Sequence, residues 1–235
     1  MTNEMKKKLG IKSTKDAHEH GLKILVHSPS GAGKTTLSGT LPGKTLVLNV
    51  ENGVLVLADK DIDVLDVKKI SSADPDEMTL LKAYQLIKDG VLKYDNIVLD
   101  SFTEISEELF KAIDDDPTVN KEFGGLYTEF RSQVIKIIKA FRDLPGVNIV
   151  FICLSDMIEV NGLQKFVPST PHKKTSMSMM ALFDECLFIE TSATGKRSLR
   201  TTENATCMAK SRTGVPDGTD ILDLSELYKN TNKGK

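Results

Sequence analysis

The chain is poor in cysteine, and the three it has form no pattern. Cys153, Cys186 and Cys207 lie far apart, in neither a Cys-x-x-Cys pair nor a zinc-ligand spacing. That argues against a disulfide framework or a structural zinc, and for a reducing, cytoplasmic setting. Long apolar runs are also missing. The stretch 149–154 (IVFICL) is among the longest, far short of the roughly 18 residues that a membrane-crossing helix requires. No membrane partner is expected. The opening MTNEMKKKLG has no apolar h-region, so no secretory signal is expected. Net charge is close to absent at −2, which removes any global nucleic-acid signal. What remains is 235 residues, 40% hydrophobic and 27% charged. That is the make-up of a soluble globular protein, with one domain, or one and an appendage, at about 150 residues per domain.

The small total charge hides a division. Residues 74–129 carry 14 acids against 5 Lys/Arg, and residues 161–212 carry 8 Lys/Arg against 4 acids. Charge blocks of this kind ordinarily mark solvated faces. The ends are polar and lysine-bearing. We expect an extension over 1–20, a core over 21–215 and a tail over 216–235. Within the core, short apolar stretches alternate with helical patterns. Strands are predicted at 22–28, 45–51, 62–67, 96–101 and 148–153. Helices are predicted at 33–40, at 75–89 with Asp74 as N-cap, at 103–113 and at 126–143. Later strands are expected at 157–160 and 163–167 about an Asn161-Gly162 turn, then at 185–191, 198–202 and 205–209, with a helix over 176–183. The alternation predicts an α/β fold: a mostly parallel sheet flanked by helices, with antiparallel hairpin strands towards the C-terminal end.

The strongest local signal is SPSGAGKTT, residues 28–36. A phosphate loop turns backbone N–H groups inward on a polyphosphate, and small residues permit that approach. Ser30, Gly31, Ala32, Gly33, Lys34, Thr35 and Thr36 are the candidate ATP-binding residues. Lys34 would reach the β- and γ-phosphates, and the Thr35 hydroxyl would ligate Mg²⁺. Ser28 stands where such loops usually begin with glycine, and Pro29 biases it towards an extended strand end.

Two acids complete a hydrolytic site. Asp100 closes the apolar run Ile97-Val98-Leu99 and fits a Mg²⁺-organising carboxylate. Glu51 ends the stretch 45–50. If that strand lies beside the strand leading into the loop, Glu51 points into the γ-phosphate crevice. A general base there typically contributes about 10²–10⁴-fold.

In this order the parts resemble the RecA recombinase superfamily across about 190 residues, 22–214. SPSGAGKTT looks like its phosphate loop, LNVEN like the strand ending in its catalytic glutamate (Glu51), and NIVLDS like its Walker B strand (Asp100, Ser101). Gly125-Leu126 resembles the start of the helix after the first DNA-binding loop, whose counterpart is 114–124. VFICLSD resembles the strand carrying the γ-phosphate sensor, with Ser155 or Asp156 where the family commonly has Gln or His. Residues 156–176, with Lys165, Lys173 and Lys174, fall where the second DNA-binding loop lies. AKSRTGVP resembles the segment whose basic residues reach a neighbour's ATP, which would make Lys210 and Arg212 trans-acting catalytic groups. The lack of large flanking domains resembles phage-encoded Sak-type single-strand annealing ATPases. The resemblance implies a homo-oligomer with ATP at subunit interfaces. It further implies partners in single-stranded DNA and a single-strand-binding protein, and a bacterial host cytoplasm if phage-encoded.

Two other functions stay open. One is a small-molecule P-loop kinase, against which stand Glu51 and the want of an arginine-bearing lid. The other is a nucleotide-gated DNA-binding module with negligible turnover. His18, His20, His27 and His172 form no ligand pattern and read as surface or strand-end histidines. Phe166 and the Met177, Met179, Met180 cluster read as core.

Overall fold

The computed structural model describes residues 3–11, 21–218, 223–225 and 227. Most of the expected extension 1–20 and tail 216–235, with His18 and His20, lies outside the described residues. A short helix, α1 (Asn3–Lys8), stands before the core. The core then runs β1 (Lys23–Ser28), α2 (Lys34–Ser38), β2 (Thr45–Asn49), β3 (Asp63–Asp66), α3 (Leu80–Lys88), β4 (Asn96–Asp100), α4 (Phe102–Asp115) and α5 (Gly125–Arg142). It closes with β5 (Asn148–Val160), β6 (Leu163–Pro168), α6 (Lys173–Met179), β7 (Glu185–Thr191) and β8 (Arg197–Arg200).

One sheet holds the strands in the order β3-β2-β4-β5-β1-β7-β8, with β6 paired to β5. All pairs are parallel except β5–β6 and β7–β8. The expected α/β class is thus the observed one: a parallel sheet, helices on its faces, and antiparallel strands added late in the chain.

The sheet is apolar on both faces, as a parallel sheet covered twice must be. Side chains alternate along β1. Leu25 joins the core beneath α4 and α5, and Ile24 and Val26 join the other, with Leu37 of α2 and the distant Val215, Leu224 and Leu227. On α5 the buried positions Phe130, Val134, Ile137, Ile138 and Phe141 form one stripe at helical spacing. Phe151 of β5 meets Phe102, Phe183 and Phe141 edge-on, at 4.9, 5.1 and 6.2 Å between centroids. Each such buried ring contributes about 1.5–3 kcal/mol by area alone.

Four local expectations need correction. The strand bearing Glu51 is not beside β1; β4 and β5 stand between β1 and β2. The helix predicted from residue 75 starts at Leu80, and Thr79, not Asp74, caps it by accepting from Lys82 N at 3.2 Å. Residues 75–77 instead form a turn, with Glu77 N donating to Asp74 O at 3.3 Å, and Thr79 is extended and bridged to Lys69. The stretches 148–153 and 157–160 are one continuous strand, β5, because its far half leaves the parallel sheet and pairs only with β6. Residues 205–209 form no strand. Thr206 and Met208 bond to Phe166 of β6, and the next residue to bridge, Lys210, bonds to Cys186 of β7, so no ladder accumulates on one strand.

Candidate functional site

The crevice of an open parallel sheet lies at the carboxyl ends of its strands, where successive connections diverge. Here β1 lies between β5 and β7, while the chain leaves β1 for distant β2. The phosphate loop follows β1 at that point. Gly31 and Gly33 take φ of 76° and 98°, a region closed to most side chains. Ser28 is fully buried as the last residue of β1 and does not have positive φ. Its place therefore does not require glycine, and its Oγ donates to Pro29 O at 3.1 Å. The helix after the loop is shorter than the predicted 33–40 and spans five residues. Loop amides, more than a helix dipole, supply the local positive field.

Lys34 Nζ donates to the carbonyl oxygens of Ser28 and Pro29, both at 3.1 Å. Burial pulls its pKa down, and Glu51 and Asp100 pull it back up. The Thr35 hydroxyl donates to Asp100 Oδ2 at 2.6 Å. Burial raises the Asp100 pKa, and the bond from Thr35 opposes that rise. Glu51 reaches the same place by a different route from the expected one. Val50 N and Glu51 N both donate to Asp100 O, at 2.7 and 3.4 Å, tying the end of β2 to the end of β4. Ser101 Oγ donates to the Glu51 carboxylate. A cavity of about 280 Å³ collects Ser30, Gly31, Gly33, Lys34, Thr35, Thr36, Glu51 and Asp100.

The donor set fits Mg²⁺. A hydroxyl and a carboxylate in contact are hard oxygen donors, and Mg²⁺ takes few protein ligands beside phosphate and water. Among the described residues no cluster of three His, Cys, Asp or Glu would hold a metal unaided. Thr35 and Asp100 would hold the ion, which supplies charge neutralisation on the phosphates. Exposed Glu51, held by Ser101, is the other carboxylate that lines the cavity, suited to orient and deprotonate water.

Other expected site residues lie elsewhere. Ser155 does not line the cavity. Its Oγ is 2.8 Å from Nδ1 of His27, on the opposite face of β5, while its neighbour Leu154 lines the cavity. A strand presents alternate residues to alternate faces, so one position of offset decides which side chain faces the cavity. Asp156, the other candidate, accepts from Ser169 Oγ at 2.6 Å. Lys165 is buried and ion-paired with Glu203, not available to DNA. Lys173 and Lys174 begin α6 and border a groove with Glu159 and Asn161. Lys210 pairs through its backbone with Cys186, at the end of β7 remote from the phosphate loop. Arg212 is ion-paired with Asp184 at 3.1 Å. Neither enters the chain's own phosphate cavity. His27 is wholly buried, not a surface histidine. Phe166 stacks on Phe188, 5.3 Å between centroids.

Two features escaped the sequence. Arg197 lines the phosphate cavity from β8; its only linear signal was a basic pair, Lys196-Arg197, in a Gly-bearing turn. Tyr127 stacks on His172 at 4.9 Å and 29°, beside Arg131, Lys174 and the fully exposed Phe123. These come from segments 45 residues apart and could be joined only by the fold.

Sheet order, phosphate loop, Thr35–Asp100 contact and nearby Glu51 define a P-loop nucleotide-binding ATPase domain. The chain belongs to the AAA domain family, whose model matches residues 20–213. Among solved structures it is similar to one described as a prototypical ATPase from the type III secretion system of pathogenic bacteria. That likeness has TM-score 0.51 and 15% identity over 89% of this chain and 61% of that one, and shows the fold alone. No curated protein matches. Among the described residues no helix is long and apolar enough to cross a membrane.

Proposed function

We propose that this ATPase works on single-stranded DNA, promoting annealing or strand exchange in the manner of phage Sak-type proteins, as a homo-oligomer with ATP between subunits. The observation that supports it is the meeting of the two loop counterparts. Phe123 from one, and His172 and Lys174 from the other, surround a groove of about 390 Å³ with Tyr127 and Arg131 of α5, the helix that follows the first. Stacked rings beside cations are what a single strand needs: faces for bases and charge for phosphates. The crowding of positive charge is visible in His172, whose pKa is lowered by burial and then by Lys174 and Arg131. DNA contact thus shifts from Lys165, which is ion-paired, to Tyr127, Arg131, His172 and Lys174. Lys210 and Arg212 remote from their own chain's nucleotide suit a role on a neighbour's.

The test is ATP hydrolysis with and without single-stranded DNA for wild type, Lys34→Ala, Lys210→Ala and Tyr127→Ala. The expected result is stimulation by DNA, lost in each variant and restored on mixing Lys34→Ala with Lys210→Ala. Tyr127→Ala should weaken DNA binding by about 1–3 kcal/mol. A DNA-indifferent rate, unchanged by Lys210→Ala, refutes the reading.

A further inference from the structure

β7 pairs with β1 only as far as Phe188, opposite His27. It runs on through Ile189, Glu190 and Thr191, and the hairpin returns at Arg197, opposite Thr191. Three residues at about 3.3 Å each carry the hairpin roughly 10 Å past that pairing, to the level of the phosphate loop. There Arg197 Nη2 donates to Gly31 O at 3.1 Å. A Cβ at Gly33 would stand 2.9 Å from Arg197 Nη1. The guanidinium therefore lies against both glycines of the loop. Among the described residues this is its only hydrogen bond, and it has no ion pair. Arg200 on the same strand is paired with both Glu190 and Asp217. Arg197 borders the phosphate cavity and also an adjoining cavity of about 540 Å³ lined by Pro29, Phe166, Phe188 and Ile189.

An unpaired guanidinium has five N–H donors in a fork that matches phosphate oxygens. A single carbonyl uses one of them. We propose that Arg197 is a phosphate-binding arginine supplied by the same chain. With ATP bound, it exchanges the Gly31 carbonyl for oxygens of the terminal phosphoryl group and offsets the charge that develops there. The proposal rests on the ATPase reading of the site. In that reaction the oxygen of water bonds to the γ-phosphorus as the bridging P–O bond breaks. The electron pair leaves with ADP, and the water proton passes to Glu51. Arg197 changes no bond; it lowers the cost of the charge shift. The site then carries its own arginine before any neighbour adds Lys210 or Arg212.

The test compares wild type, R197A and R197K. It measures kcat and KM for ATP, affinity for ADP and for a non-hydrolysable ATP analogue, and urea unfolding midpoints. R197A is expected to lower kcat by about 10²-fold or more and to weaken the analogue more than ADP. Midpoints should not move, because Arg197 is exposed. R197K should recover part of kcat, keeping the charge and losing the fork. Mixing R197A with Lys34→Ala should restore nothing, because both groups must serve one nucleotide from one chain. Wild-type kcat in R197A, or recovery on mixing, overturns the proposal. So does an equal loss of affinity for ADP and the analogue. A wild type without turnover refutes the hydrolysis reading alone; the phosphate contact then stands or falls on whether R197A loses the analogue preference.

Discussion

His27 should make the protein sensitive to mild acid. It is the penultimate residue of β1 and is fully buried, with its ring tilted over Phe188 at 5.2 Å between centroids. Its Nε2 lies 2.8 Å from Met208 O, and its Nδ1 lies 2.8 Å from Ser155 Oγ. Burial is the main cause that pushes its pKa down to about 4, against a smaller opposing pull from the Met208 carbonyl. The native imidazole is thus neutral near pH 7. A carbonyl can only accept, so the proton sits on Nε2, and Nδ1 accepts from the Ser155 hydroxyl. The unfolded chain binds a proton near pH 6.5 and the native chain does not until about pH 4. Stability therefore rises with pH through this window and falls as pH is lowered. By pH 5 the loss from this one group is about 2 kcal/mol, and by pH 4 about 3 kcal/mol.

Urea unfolding at pH 7.5, 6, 5 and 4.5 measures it. His27→Gln keeps an amide donor for Met208 and removes the titration. Carboxylates elsewhere act alike in both proteins, so the difference between the two curves isolates His27. The wild-type curve should fall more steeply below pH 6.5 and approach that of the variant, which is less stable at neutral pH. Parallel curves refute the reasoning, as does an imidazole that titrates between pH 6 and 7 in NMR spectra of the native protein.

Glu51→Gln should lower ATP turnover by about 10²–10⁴-fold while leaving ADP affinity near wild type; single-turnover hydrolysis with parallel binding isotherms checks this. Ser155→Ala should leave ATP turnover within about twofold, because the hydroxyl faces His27 and not the cavity. Its cost should appear instead in denaturant unfolding, as about 1 kcal/mol for a lost buried hydrogen bond. A large fall in kcat for Ser155→Ala would return Ser155 to the sensor role.

The phosphate loop and the Walker B strand were legible because each is local. A run of glycines and small residues before Lys34, and an apolar strand closed by Asp100, carry their chemistry in adjacent positions. Strand existence was legible for a related reason: β7 and β4 are short apolar stretches between breakers. What failed was relational. The position of β2 depends on strand order, which no local pattern encodes. Glu51 still arrives at the cavity because β4, not β1, is its anchor through the Asp100 carbonyl. Lys165 read as a surface cation because Glu203, its partner, is 38 residues away. Arg197 was invisible because its meaning comes from a hairpin extending past β1, a matter of strand length and pairing.

The middle of β5 shows how much a single position can change. Ser155 and Leu154 are adjacent, yet the pleat sends one towards His27 and the other towards the phosphates. Leucine offers no hydrogen bond. The side chain that β5 presents to the cavity therefore offers an apolar surface and no polar contact. Polar contact between the nucleotide and the strands beyond β1 falls instead to Arg197, while His27 joins β1 both to β5 and to the segment that leads into Lys210 and Arg212. The geometry thus separates two tasks that one polar sensor would combine. Ser155→Ala and Arg197→Ala should accordingly give different phenotypes, stability in the first and kcat in the second. Matching losses of kcat in both would show that the two tasks are not separate.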